Sequence, residues 1–224
     1  MSQPEASTPD DLTLDELRRA LAPRIAAAAV FDGWSDAAVA SAAAGAGVDP
    51  DVAAFAFQDG TMAMIDAWIA DVDARMQAAL PAETLAAMSI RERIRSLVQF
   101  RLDAVAGLEE SLRRALAIMA MPQNAARALK LGWRSADAMW RLAGDVATDL
   151  NHYSKRAILA GVYGATLAVF IDDHSDGKAD TRAFLDRRIA GIIRFEKTKA
   201  QWVRPDAERI SLARFLGRLR YPAR

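Results

Sequence analysis

Residues 140–195 read WRLAGDVATDLNHYSKRAILAGVYGATLAVFIDDHSDGKADTRAFLDRRIAGIIRF. The first third is polar and turn-bearing. Gly144 permits a sharp bend after a segment that carries Trp133 and Trp140. Asp149 or Asn151 can cap whatever helix follows. Asp145 and Asp149 fall close enough in sequence to meet Lys155 or Arg156 across the bend. Residues 157–171 then run for 15 positions without a charge. A membrane-spanning helix needs roughly 20 apolar residues, so this run reads as a buried core helix over about 151–172. Residues 174–178 are a loop, and 179–202 read as a further helix with Pro205 beyond it. Two long helices joined by a polar corner set the chain in the all-α class.

Working outward, the same helical grammar recurs. Ser89 followed by Glu92 is a capping box. It opens a helix whose apolar stripe is Ile90, Ile94, Leu97, Val98, Leu102 and Val105, with Gly107 at its end. Helices follow over about 109–121, stopped by Pro122, and 124–143, stopped by Gly144. Towards the N-terminus, Leu14, Leu17, Leu21, Ile25 and Val30 space a first helix over 12–31. A short helix over 37–44, broken by Gly45 and Gly47, precedes one opened by Asp49-Pro50. A longer helix then runs to Leu80, where Pro81 interrupts. A last short helix is expected over 206–221, and residues 1–11 are expected as a disordered leader.

Composition agrees and excludes some chemistry. The chain has 224 residues, 52% of them hydrophobic and 26% charged, with a formal net charge of zero. Alanine dominates and strand formers are sparse, which favours helices. With no cysteine and only His152 and His174, thiol catalysis, thiolate metal sites and an all-histidine metal site drop out. The acidic start MSQPEASTPDDLTLDE has neither a basic apolar signal nor the arginine-rich character of a mitochondrial presequence, so a cytoplasmic location is expected. Charge is uneven. Residues 25–74 hold no lysine or arginine but eight aspartates, whereas 182–224 hold twelve basic residues against four acidic ones. Such a split suits different partners at different faces.

The order of long helix, glycine, short helix, turn, short helix and long helix over residues 15–70 resembles the helix-turn-helix of TetR-type repressors. Phosphate contacts supply most DNA affinity and need basic or neutral donors. The would-be recognition segment DPDVAAFAFQDG instead offers Asp49, Asp51 and Asp59, with Gln58 as its one polar reader. The lobe therefore reads as a degenerate helix-turn-helix, and no nucleic acid is expected as partner.

The AGD-x-x-TD-x-N-x-Y-x-KR run and the later ADT-x-AFLDRRI segment are similar to the Coq-nine family of ubiquinone-biosynthesis accessory proteins. The resemblance rests on Trp140, Ala143, Gly144, Asp145, Thr148, Asp149, Asn151, Tyr153, Lys155 and Arg156. One departure is His152, where the family often carries an aromatic run with Trp. The resemblance implies an all-α, TetR-like fold and a non-catalytic role. It implies an apolar sleeve that binds an isoprenoid lipid or quinone precursor and presents it to a demethoxyubiquinone-type hydroxylase at the membrane. Contact with that hydroxylase is expected at Trp140, Asp145, Thr148, Asp149, Asn151, Tyr153, Lys155 and Arg156. From the residues alone, the same corner can simply orient two core helices. Its two carboxylates lack a nucleophile or third catalytic group, so acid–base work is not expected there.

Lipid contact is expected at Met119, Met139, Tyr163, Leu167 and Phe170, since methionine adapts to a flexible chain. Gly161, Gly164 and Ala165 leave room for a ligand or for close helix packing. In the last segment Leu212, Phe215, Leu216 and Leu219 share one face, with Arg209, Arg214 and Arg218 around it. That pattern suits an amphipathic helix on an anionic membrane surface, or one docked on the body. The expected organisation is a leader over 1–11, a helix-turn-helix-like lobe over 12–80, a lipid-binding and dimerisation domain over 82–204 and the amphipathic helix over 205–224. The protein is expected to be a homodimer, peripheral on the inner face of the membrane, without cofactor or metal. The alternative is a ligand-responsive TetR-type transcriptional repressor.

Overall fold

The computed structural model describes residues 12–146 and 150–202, with side chains for all of these except 150, 151 and 193–202. Ten α-helices succeed one another: α1 (Leu14–Asp32), α2 (Asp36–Ala46), α3 (Pro50–Ala56), α4 (Thr61–Ala79), α5 (Ala82–Ala86), α6 (Ile90–Asp103), α7 (Glu109–Met119), α8 (Ala125–Leu142), α9 (Leu150–Phe170) and α10 (Ala179–Trp202). No strand occurs among the described residues. The expected leader over 1–11 and the expected helix over 206–221 lie outside the described residues.

Local chemistry sets the boundaries. Thr13 and Ser89 each form a full capping box, with Glu16 and Glu92 reaching back to the cap backbone. Asp49 caps α3 by accepting from the Asp51 and Val52 amides at 2.8 and 3.2 Å. Gly45 does not break α2 as expected. The helix continues to Ala46, and Gly47 ends it because that glycine takes the left-handed conformation (φ 67°) and donates its N–H to Ala43 and Ala44. Nor does Gly107 end α6, which stops at Asp103. Ile90 stands half out of the apolar stripe at 49% exposed, whereas Ile94, Leu97, Val98, Leu102 and Val105 are buried. Helix α5, seated by the fully buried Leu85, has no counterpart in the expected layout.

The described residues fall into two compact units, one through Ile189 and the other from Ala190. The lobe expected over 12–80 and the domain expected over 82–204, as far as Ile189, both lie within the first. Helix α4 is the reason. It packs against α1 on the N-terminal side and against α6, α7 and α8 on the other. Met62, Met64, Ile65, Trp68, Val72 and Met76 bury faces of it in both directions. Trp34 adds cross-links. Its indole N–H donates to the Ser111 carbonyl of α7 at 2.9 Å, and its ring lies 5.3 Å from that of Trp68. Ser111 in turn donates to the Ala26 carbonyl of α1 at 2.7 Å. In the second unit, residues 190–202 are helical.

Candidate functional site: a polar corner and an apolar cavity

The polar corner lies where α8 gives way to α9. Gly144 turns the chain at φ +86°, a conformation only glycine takes without strain. Arg93 of α6 holds the turn by donating to the Ala143 carbonyl at 2.8 Å, while its other nitrogens bond the Met88 and Ala86 carbonyls at 2.9 Å. Arg156, 1% exposed, occupies the centre. It donates to Asp137 at 2.6 Å, to Asp145 at 2.9 Å and to the His152 carbonyl at 3.1 Å. Lys155 donates to the other Asp145 oxygen at 2.8 Å and lies 5.4 Å from the centre of the Trp140 ring, whose indole N–H bonds the Lys155 carbonyl. Desolvation raises the Asp145 pKa, but the hydrogen bonds and charges of Lys155 and Arg156 outweigh it together. The carboxyl is held below its ordinary value and stays ionised.

Of the residues expected to meet a partner, Trp140, Asp145, Lys155 and Arg156 are thus brought together, but into a mutually satisfied network. Tyr153 is different. It is 60% exposed, with its ring 6.0 Å from that of Trp133 and 5.1 Å from that of His152. Val146, at 89% exposed, stands beside the corner and was not among the expected residues. Thr148 and Asp149 lie outside the described residues, as does the side chain of Asn151. Asp137, which completes the arginine's partners, was missed as well.

A second polar knot joins α9 to α10 through the ADT segment. Asp173 accepts from the backbone and hydroxyl of Ser175 at 2.8 and 2.5 Å, and from those of Thr181 at 2.8 and 2.6 Å. Burial pushes this carboxyl up, yet the four donors pull it far below the usual carboxylate range.

Between α4, α6, α7, α8 and α9 lies a cavity of about 710 Å³. Small-molecule sites typically span about 300–1,000 Å³. Its walls are apolar, with Ile65, Trp68, Val72, Leu116, Leu131 and Trp133 among them. Leu129 lines it and is 77% exposed, so the cavity reaches the surface beside α8. Of the residues expected to contact lipid, Met119, Tyr163 and Leu167 line this cavity, together with Gly161 and Gly164. Met139 and Phe170 do not. Met139 is fully buried in the core on another face of α8, and Phe170 is packed at the end of α9, where Lys178 lies 4.6 Å from its ring centre. Ala165 is also off the wall.

One polar group in the wall was not anticipated. Arg101 of α6, 2% exposed, pairs with Asp73 of α4 and donates to Ser135 of α8 at 3.0 Å. Its guanidinium lies 4.9 Å from the centre of the Tyr163 ring. The signal was present in the sequence. Arg101 sits at helical spacing within the stripe Ile94, Leu97, Val98 and Leu102, and Asp73 within Ile65, Trp68, Val72 and Met76. A charge on each of two apolar stripes points to a buried pair. Among the described residues, no group of histidine or acidic side chains is placed to hold a metal. No described helix is long and apolar enough to cross a membrane.

These features define a protein that is helical in its described residues, with an apolar cavity walled by α4 and α6 to α9. The backbone superposes on a TetR transcriptional regulator from Nitrosomonas europaea with a TM-score of 0.62, covering 78% of this chain and 97% of that one at 22% identity. At that identity the likeness speaks for the fold alone. The family model described as COQ9 matches residues 125–196, the segment that forms the corner and one side of the cavity. The ubiquinone biosynthesis protein COQ9, mitochondrial, from Rattus norvegicus is 33% identical over 75% of this chain and 56% of its own length. Its Bos taurus and Homo sapiens counterparts are 32% and 30% identical, each over 75% of this chain and 55% of their own length. The chain carries a COQ9 domain, and the resemblance read from residues 140–156 holds. It spans about half the length of the curated relatives it matches.

Proposed function

We propose that this protein is a non-catalytic accessory factor of ubiquinone biosynthesis that carries an isoprenoid quinone intermediate to a hydroxylase at a membrane surface. The observation that carries the reading is the apolar cavity of about 710 Å³, one side of which is formed by the segment that matches the COQ9 model. A polyprenyl tail in water is unfavourable by about 0.8 kcal/mol for each methylene, and an apolar sleeve removes that cost while the head group is handed over. The names of the relatives support the pathway. The corner supports a binding rather than a catalytic role, because Asp137 and Asp145 are both engaged by Arg156. Hydroxylase docking is assigned to the exposed Tyr153 and Val146 beside that braced corner and to Trp140, with Thr148, Asp149 and Asn151 assigned from the sequence resemblance. Membrane contact is assigned to the pattern of Arg209, Leu212, Arg214, Phe215, Leu216, Arg218 and Leu219, and homodimerisation to the helices of the C-terminal lobe.

Organic extraction of the purified protein followed by mass spectrometry tests the central claim. A polyprenyl quinone or precursor at a molar ratio near one is expected, and a protein free of lipid after detergent-free purification would refute it. Removal of residues 205–224 is expected to abolish sedimentation with anionic liposomes. The second reading, a ligand-responsive repressor, draws on the TetR-like backbone alone. Asp49 and Asp51 at the start of α3 oppose it, since both would face phosphates. Salt-sensitive gel shifts of duplex DNA at low ionic strength are the result that would favour it.

A further inference from the structure

Helix α3 buries Ala53 and Ala56 completely and exposes its two large side chains, Val52 at 47% and Phe55 at 54%. The two stand three positions apart, so they share one helix face. A single exposed apolar side chain is ordinary, but an apolar face rimmed by charge marks a surface that meets a partner. The rim here is acidic. Asp49 and Asp51, both exposed, open the helix, and neither forms an ion pair with a described residue. At the far end the charge is mixed. Arg18 donates to the Ala56 carbonyl at 2.6 Å and pairs with Asp15, and Asp59 lies in a groove with Arg18, Arg19, Arg127 and Arg134. The unanswered negative charge therefore sits beside Val52 and Phe55, at the start of the helix. The complement is written in the chain itself. Residues 203–224, outside the described residues, hold six arginines against Asp206 and Glu208. Their Leu212, Phe215, Leu216 and Leu219 recur at i, i+3, i+4 and i+7, the spacing of one helix face.

We propose that the exposed face of α3 docks residues 203–224 of a second copy of this chain. Val52 and Phe55 meet the leucine and phenylalanine side chains of that segment, and Asp49 and Asp51 meet its arginines. Each copy offers one face and one segment, so reciprocal exchange within a homodimer satisfies both pairs at once. The choice of a second copy rests on the homodimer reading, and the pairing of face with segment does not. The contact gives the segment a host when no bilayer is present, because an amphipathic stretch left in water exposes its apolar side chains. Anionic lipid and α3 then compete for the same arginines.

Photo-cross-linking from p-benzoylphenylalanine placed at Phe55 of the full chain tests this, with heavy-isotope-labelled and unlabelled copies mixed. The expected product joins α3 of one copy to residues 203–224 of a differently labelled copy. Asp49→Asn combined with Asp51→Asn keeps the helix cap, since asparagine caps as well as aspartate. That variant is expected to lower the cross-link yield about fivefold, as the loss of exposed ion pairs implies. A cross-link confined to one chain overturns the exchange between copies. A cross-link to any other segment, or none, overturns the docking. Where the probe at Phe55 disturbs folding, hydrogen exchange on the native chain decides. The α3 amides are expected to exchange faster once vesicles of phosphatidylcholine and phosphatidylglycerol are added. An unchanged rate in chain that sediments with those vesicles overturns the docking. Chain that stays in the supernatant refutes the membrane assignment instead, and the cross-link then decides the docking by itself.

Discussion

Two arginines are buried to nearly the same extent, Arg156 at 1% and Arg101 at 2% exposed, yet their surroundings differ in kind. Arg156 meets two carboxylates and a carbonyl at the corner, and Asp145 is braced again by Lys155. Arg101 meets one carboxylate and one hydroxyl in the cavity wall and keeps a nitrogen in reserve. A charge whose bonding is complete fixes structure, because every partner resists displacement. A charge left one partner short is held by fewer bonds. Burial alone does not separate the two cases; the tally of donors and acceptors does.

The largest effect expected is at the corner. Arg156→Met leaves Asp137 to Arg141 alone and Asp145 to Lys155 alone, beside an apolar side chain in a buried setting, and should destabilise the protein by about 3 kcal/mol in urea unfolding. A loss under 1 kcal/mol would break the contrast, since the two arginines would then be equally dispensable. Asp145→Asn removes one arm and should cost about 2 kcal/mol near neutral pH. Because the folded pKa of Asp145 is lowered, its contribution is fully present above the unfolded carboxylate value of about 3.9. It fades as the pH falls through the folded pKa. The gap between wild type and Asp145→Asn should therefore narrow on moving from pH 7 to pH 3, and a constant gap would show that charge at this position is irrelevant. Gly144→Ala forces φ +86° on a residue with a Cβ and places that atom 3.1 Å from an Arg93 nitrogen. A loss of about 1–2 kcal/mol is expected. Arg101→Lys keeps the charge facing Asp73 but gives up the bond to Ser135 and should cost about 1 kcal/mol in the same unfolding measurement. The smallest effect is at the surface. Val146→Ser should alter stability by less than about 0.5 kcal/mol while weakening hydroxylase capture in a pull-down.

Much of the fold was legible because its signals are local. The Ser89–Glu92 box, Asp49-Pro50, Pro122 and Gly144 act on their own chain neighbours, and each described helix except α5 falls within a few residues of its expected span. The misjudged glycines are instructive. Gly45 and Gly107 are permissive residues, and only the geometry at Gly47 makes one a terminator. The corner was half legible. Asp145 with Lys155 and Arg156 could be read across a short bend, but Asp137 and Arg93 arrive from other turns and another helix. The cavity was least legible, because lining depends on which face of α8 and α9 turns inward. Met119 and Tyr163 line it, and Met139, equally bulky and on a neighbouring helix, faces the core.

Helix α4 has a consequence for how the molecule opens. Its residues serve the N-terminal lobe and the cavity at once, and the Trp34–Ser111 and Ser111–Ala26 bonds stitch the same two regions together. Neither lobe can come apart without stripping a face of α4, so local openings of the two are joined into one cooperative event. The backbone amides of α4 should then be among the slowest in the chain to exchange with deuterium. A ligand lodged against Ile65, Trp68 and Val72 should slow exchange at α1 as well, though it touches nothing there.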